Sequence, residues 1–160
     1  MQLAEFNALP LGHAAAELAA CCSSPEWARR LARARPFDSM AALHERADQV
    51  LDELDEAEID RALAGHPRIG ERSAHASSRC EQAGVAGADA AVLAELTAAN
   101  RTYEQRFGHV YLVCADGRSG AELLVVLRRR LTNDPATERR VLRAELGRIN
   151  RIRLDRMVQA

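Results

Sequence analysis

Aromatic side chains are scarce in this sequence, at 4% of 160 residues, although 48% of the residues are hydrophobic. With Ala, Leu, Arg and Glu dominating instead, the composition favours helix over sheet and predicts an all-α protein. Net charge is lacking too, because 22 basic and 23 acidic side chains leave a formal −1. No global field draws such a chain to a polyanion, which argues against nucleic acid or an anionic membrane as partner. No stretch has the roughly 18 unbroken apolar residues of a membrane span. Met1-Gln2-Leu3-Ala4-Glu5-Phe6 has no basic region followed by an apolar run, and Met157-Val158-Gln159-Ala160 is not a Ser-Lys-Leu type ending. A cytoplasmic protein is the expectation. The cysteines, Cys21, Cys22, Cys80 and Cys114, include an adjacent pair and no CxxC spacing, which suits neither a disulfide framework nor a zinc site. Reduced thiols follow. No internal repeat, low-complexity segment or long linker divides the chain, and 160 residues is the size of one domain around one core.

What is present is mostly helical punctuation. A short lead with Leu9-Pro10 is followed by an alanine-rich helix from Leu11 to Cys22. Ser24 before Pro25 and Glu26 predicts a helix to about Arg33, ended by Pro36. Asp38 reads as the cap of a helix to about Leu54, with Met40, Leu43, Ala47, Val50 and Leu54 on one face. Asp55 and Glu58 read as a capping box for a helix that stops at Gly65. Ser77 and Ser78 offer caps for a short helix containing Glu81 and ending near Ala83-Gly84. Val92, Leu93, Leu96, Ala99 and Tyr103 mark a helix from about Asp89 to Phe107, closed by Gly108. His109 to Ala115 is rich in β-formers, too short for a helix and bounded by Asp116-Gly117, so it reads as a buried extended connector. A helix from Ser119 or Gly120 to Leu131 should carry Arg128 to Arg130 outward on a solvated face. Asp134-Pro135 opens the last helix, to about Met157. The expectation is a single-domain compact bundle of about eight helices with one extended connector.

Two features do not suit a core. His66-Pro67-Arg68-Ile69-Gly70 presents an imidazole from a loop stiffened by proline, just past a helix end. On the last helix, Arg153 falls within the apolar arc of Val141, Leu142, Leu146, Ile149, Ile152 and Met157, where a guanidinium must snorkel or find a partner. With Glu81 between them in the chain, these residues form a possible acid, orienting base and anion clamp. Taken singly each has a plainer explanation: a helix-terminal histidine on a carbonyl, a solvated glutamate, a salt-bridged arginine. His75 with Cys80 or His66 matches no familiar metal site. The basic residues of the last helix alternate with Glu138, Glu145 and Asp155, unlike a DNA-reading helix.

The ordered set His66-Pro67-Arg68-Ile69-Gly70, Ser78-Arg79-Cys80-Glu81-Gln82-Ala83-Gly84, Asn100, Tyr103, Arg106-Phe107-Gly108, Arg129-Arg130-Leu131-Thr132-Asn133-Asp134, Glu138 and Ile152-Arg153-Leu154 resembles the OHCU decarboxylase family of purine catabolism. The resemblance runs from Phe6-Asn7 to the last helix. It implies a cofactor-independent, metal-free, all-helical and usually homodimeric carboxy-lyase. The implied reaction turns a small molecule, 2-oxo-4-hydroxy-4-carboxy-5-ureidoimidazoline, into (S)-allantoin during urate degradation. The family's catalytic histidine falls on His66, its glutamate on Glu81 and its C-terminal arginine on Arg153, with Arg151 and Arg156 close by in sequence. Substrate contacts fall on Pro67, on Ser78, Arg79, Cys80, Glu81 and Gln82, and on the extended stretch Tyr111, Leu112, Val113, Cys114 and Ala115. This chain has His109-Val110 where the family has an aromatic residue and a proline. Two other readings stand beside it: a helical interaction module without the chemistry, and an enzyme acting on a related ureido or hydantoin compound.

Overall fold

The computed structural model of the chain describes residues 1–70 and 82–160. Among them it is all-α, with nine helices and no strand: α1 Leu3–Ala8, α2 Leu11–Cys21, α3 Pro25–Arg33, α4 Met40–Glu53, α5 Glu56–Ala64, α6 Ala83–Ala86, α7 Ala90–Phe107, α8 Gly120–Arg130 and α9 Pro135–Met157. Two helices have no counterpart in the sequence reading: α1, whose first turn is closed by a capping box between Gln2 and Glu5, and α6, which begins at Ala83, where the expected helix from Ser77 or Ser78 through Glu81 was to end; that expected helix falls largely outside the described residues. No helix among the described residues is long and apolar enough to cross a membrane.

The chain divides into two compact units, one of Met1–Gly65 with Gly147–Ala160, the other His66–Leu146. In the first, α2 packs on α3 and α3 on α4. Trp27, wholly buried, donates its indole N–H to the Ala47 carbonyl at 3.0 Å, so the large aromatic surface is removed from water without orphaning its polar end. Ser24 caps α3 by accepting from Trp27 N–H at 3.1 Å. The cap of α4 is Ser39 rather than Asp38: its hydroxyl accepts from Ala42 N–H at 3.1 Å, which puts the helix start one residue later. Asp55 caps α5 by accepting from Glu58 N–H at 2.9 Å, but the reciprocal half of the expected capping box is missing. The Glu58 carboxylate instead accepts from Ser24 Oγ at 2.6 Å and pairs with Arg61. Gly65, which follows the helix, has no room for a side chain, since a Cβ there would lie 2.0 Å from Ser23 Oγ.

In the second unit, α7 packs on α8 around Ile69, Val85, Leu96, Tyr103, Tyr111, Val113, Ala115, Leu123, Leu124 and Leu127. Helix α7 ends at Gly108, whose φ of 76° is the left-handed geometry that a residue without Cβ adopts at least cost. Ser119 and Glu122 form a capping box at the start of α8. Asp134 accepts from Thr137 N–H at 2.9 Å at the start of α9. The outward reading of Arg128 to Arg130 fails at its last member. Arg128 is exposed and pairs with Glu95, whereas Arg130 is 4% exposed, because it has a buried carboxylate to meet.

Candidate active site

His66 follows directly on α5 and is 8% exposed, at the head of the loop His66-Pro67-Arg68-Ile69-Gly70. Pro67 removes one backbone freedom and Gly70, at φ 90°, supplies the turn that lets the chain leave. Three side chains then hold the loop from outside. Asn100 on α7 donates to the Ile69 carbonyl at 3.1 Å, Gln82 accepts from Gly70 N–H at 2.9 Å, and Arg68 makes a paired contact with Glu104 at 2.5 and 3.1 Å. The Gln82 side chain, expected to touch substrate, is thus engaged in fixing the turn, its Nε2 also reaching the Arg68 carbonyl at 3.4 Å. Asn100 Oδ1 is buried with no hydrogen-bond partner among the described residues. These contacts fix the backbone from which His66 projects, and a positioned group is what general acid–base work requires.

His75, Ser78, Arg79, Cys80 and Glu81 lie outside the described residues. Among the described residues no three of His, Cys, Asp and Glu are grouped as a metal would need.

The connector His109 to Ala115 contains neither helix nor strand, and Tyr111, Leu112, Val113 and Ala115 are buried. Its supports come from α8 and α9. Arg130 Nη1 donates to the Leu112 carbonyl at 2.6 Å, and Cys114 N–H donates to Glu145 at 2.8 Å. Arg130 is itself fixed by Glu138, to which Nε and Nη2 donate at 2.8 and 2.5 Å, and its guanidinium lies 4.8 Å from the Tyr111 ring centre. Glu138 also accepts from Asn133 at 2.8 Å and from the Tyr103 hydroxyl. Burial disfavours the charged form of Arg130, yet the hydrogen bonds and charge of Glu138 outweigh it and its pKa is raised. Burial and the bond to Glu138 likewise push the Tyr103 hydroxyl upward, so the network holds one cation, one anion and one neutral phenol. Arg130 and Glu145 were not singled out for this role in the sequence. Their signal was positional: the last arginine of a basic run on the inward side of α8, and a glutamate that shares the inward side of α9 with Glu138 and Arg153.

In the first unit, Arg153 is 7% exposed and donates to the Cys21 carbonyl, the last of α2, at 3.0 Å. A helix C-terminus carries exposed carbonyl dipoles, so a cation there is well placed. Asn150, one turn earlier, is 2% exposed. Arg151 is exposed and paired with Asp48, and Arg156 is exposed, so of the three arginines only Arg153 turns inward, as its periodicity predicted.

The family model described as OHCU decarboxylase matches residues 7–155 of the chain. The 2-oxo-4-hydroxy-4-carboxy-5-ureidoimidazoline decarboxylase of Amia calva is 32% identical over 132 residues, covering 78% of this chain and 75% of that protein. The uric acid degradation bifunctional protein TTL of Arabidopsis thaliana is 28% identical over 145 residues, covering 86% of this chain; the chain spans only 45% of that relative's length. Among solved structures, an OHCU decarboxylase crystallised in the presence of (S)-allantoin superposes with a TM-score of 0.80 at 27% identity, over 88% of this chain and 96% of that one. An (S)-allantoin synthase shares the fold, with a TM-score of 0.79 at 15% identity, over 99% of this chain and 54% of that one.

Proposed function

Given that the chain belongs to the OHCU decarboxylase family, we propose that it decarboxylates 2-oxo-4-hydroxy-4-carboxy-5-ureidoimidazoline to (S)-allantoin in urate degradation. The observation that carries this reading is His66, a buried imidazole on a loop held by Asn100, Gln82 and Arg68, in a chain matching the family model over residues 7–155. That match spans both compact units, which supports treating residues 1–160 as one domain of this kind.

The chemistry needs little beyond positioning. As the bond to the carboxylate breaks and carbon dioxide leaves, its electron pair passes into the substrate's own ring imine, whose nitrogen takes up a proton. The hydroxyl-bearing carbon becomes a carbonyl by losing its proton, and the neighbouring ureido-bearing carbon takes one up. The substrate thus provides its own electron sink, and no cofactor is called for. His66 handles the hydroxyl proton and delivers one to a single face of the new centre, with Glu81 setting its protonation state. Arg153 suits the carboxylate or the charge that develops on the ring, because its planar fork matches paired oxygens. Pro67, the 78–82 segment and the backbone of 111–115 line the heterocycle.

Urate, urate oxidase, hydroxyisourate hydrolase and this protein, mixed and followed by circular dichroism, should give a transient excess of (S)-allantoin over the racemate formed unaided. A racemic time course identical with and without the protein would overturn the reading. We further expect a cytosolic homodimer, to be read from sedimentation of the purified chain.

A further inference from the structure

Asn150 on α9 is 2% exposed, and among the described residues neither its Oδ1 nor its Nδ2 has a hydrogen-bond partner. Buried side-chain amides are nearly always paired, because an open donor and an open acceptor each cost free energy that a leucine of similar shape would not. Beside Asn150 is the thiol of Cys22, at the end of α2. Burial pushes that thiol up and the amide pulls the other way, but sulfur is a weak partner and leaves both amide atoms open. One helical turn further on, Arg153 lies on the same inward face of α9 and donates to the Cys21 carbonyl at 3.0 Å. Burial does not set Asn150 apart from the proposed machinery, since His66 Nε2 and Arg153 are buried too.

The open atoms are one acceptor and one donor, which narrows the ligand. A carboxylate could accept from Nδ2 but would confront Oδ1 with another acceptor, and a cation would do the reverse. A urea offers an N–H beside a C=O and satisfies both atoms at once. Resting on the decarboxylase reading above, we infer that Asn150 binds the ureido arm of the substrate, Oδ1 accepting from its N–H and Nδ2 donating to its carbonyl. The spacing agrees. Side chains three apart on a helix stand about 5 to 6 Å from each other, and the substrate's carboxylate and ureido arm leave neighbouring ring carbons, so Arg153 on the carboxylate leaves the arm to Asn150. Asn150 is then a specificity residue, and its ligand class is a small ring bearing a urea.

The test replaces Asn150 by leucine, which keeps the shape and removes both polar atoms. Because neither atom is bonded in the free protein, Asn150→Leu should melt at or above the wild type. In the coupled urate assay its KM should rise about tenfold, with kcat within about threefold. A structural role gives the opposite pattern, a lower melting temperature with KM unchanged, and that result overturns the inference. Unchanged KM at wild-type stability, the pattern of an amide served only by water, overturns it as well. A second measurement uses the wild-type protein alone. The side-chain NH2 resonances of Asn150, assigned from the backbone, should shift on adding (S)-allantoin and stay in place with hydantoin, which has the ring but no ureido arm. Shifts with both ligands, or with neither, overturn the inference while leaving an active wild type as a decarboxylase. A wild type that forms no excess of (S)-allantoin removes the decarboxylase reading and the inference with it.

Discussion

Arg130 and Glu138 neutralise each other out of reach of water: two guanidinium nitrogens converge on one carboxylate oxygen, with the residues 4% and 0% exposed. A buried pair of this sort is a poor source of net stability, because removing both charges from water costs nearly what their attraction returns. Removing one partner is another matter. Glu138→Gln should destabilise by roughly 3 to 5 kcal/mol, measured by urea unfolding, whereas a double Arg130→Met, Glu138→Leu variant should lose clearly less than the sum of the singles. Additive losses would show that the two residues act independently.

His66→Asn should melt close to the wild type, since Asn100, Gln82 and Glu104 hold the loop around it. Its rate of chiral allantoin formation should fall by about two to four orders of magnitude, the usual share of a positioned proton donor. Wild-type turnover in the variant would remove His66 from the mechanism.

Gly65→Ala should cost about 1 to 3 kcal/mol through overpacking, because the new methyl meets Ser23 Oγ at 2.0 Å and Ser23 Cβ at 2.9 Å. Adding Ser23→Gly removes both atoms and should recover most of that loss in thermal melts. Failure to recover would place the strain elsewhere.

Stability should decline in alkali for a definable reason. Burial pushes the Cys21 thiol from 9.0 up to about 12, and burial raises Cys22 as well. Between those values the unfolded chain gives up protons that the folded chain keeps, so the contribution is whole below about pH 9 and is lost as pH rises toward 12. Tyr103 and Tyr111, both raised by burial from 10.0, act in the same direction from about pH 10. Melting temperature should therefore be level from neutrality to pH 9 and then drop. A thiol reagent at pH 8 should label Cys21 and Cys22 only after denaturation. Rapid labelling of the native protein would contradict the burial.

Much of the helical framework was legible because its determinants are local. Ser24 before Pro25, Asp89 before the α7 stripe, and Asp134 before Pro135 each satisfy or pre-set the backbone within one turn, and the structure ends or starts helices beside them. Periodicity also singled out Arg153 as inward-facing, since the angular position of a residue on a helix depends only on its number. Ser39 displaced Asp38 as a cap because either side chain is chemically able and only backbone geometry chooses between them.

The composition, helical spacing, the stiff His66 loop and the family match are properties of the linear order of residues, and the sequence by itself determined them. Only the tertiary structure decided that Arg130, Glu138 and Glu145 are buried. Arg128, Arg129 and Arg130 are identical in type and adjacent in order, yet one of them lies inside. The reason is that a guanidinium can leave water only where a carboxylate, here Glu138 on the next helix, and a carbonyl, here that of Leu112 in the preceding connector, are folded against it to replace the water.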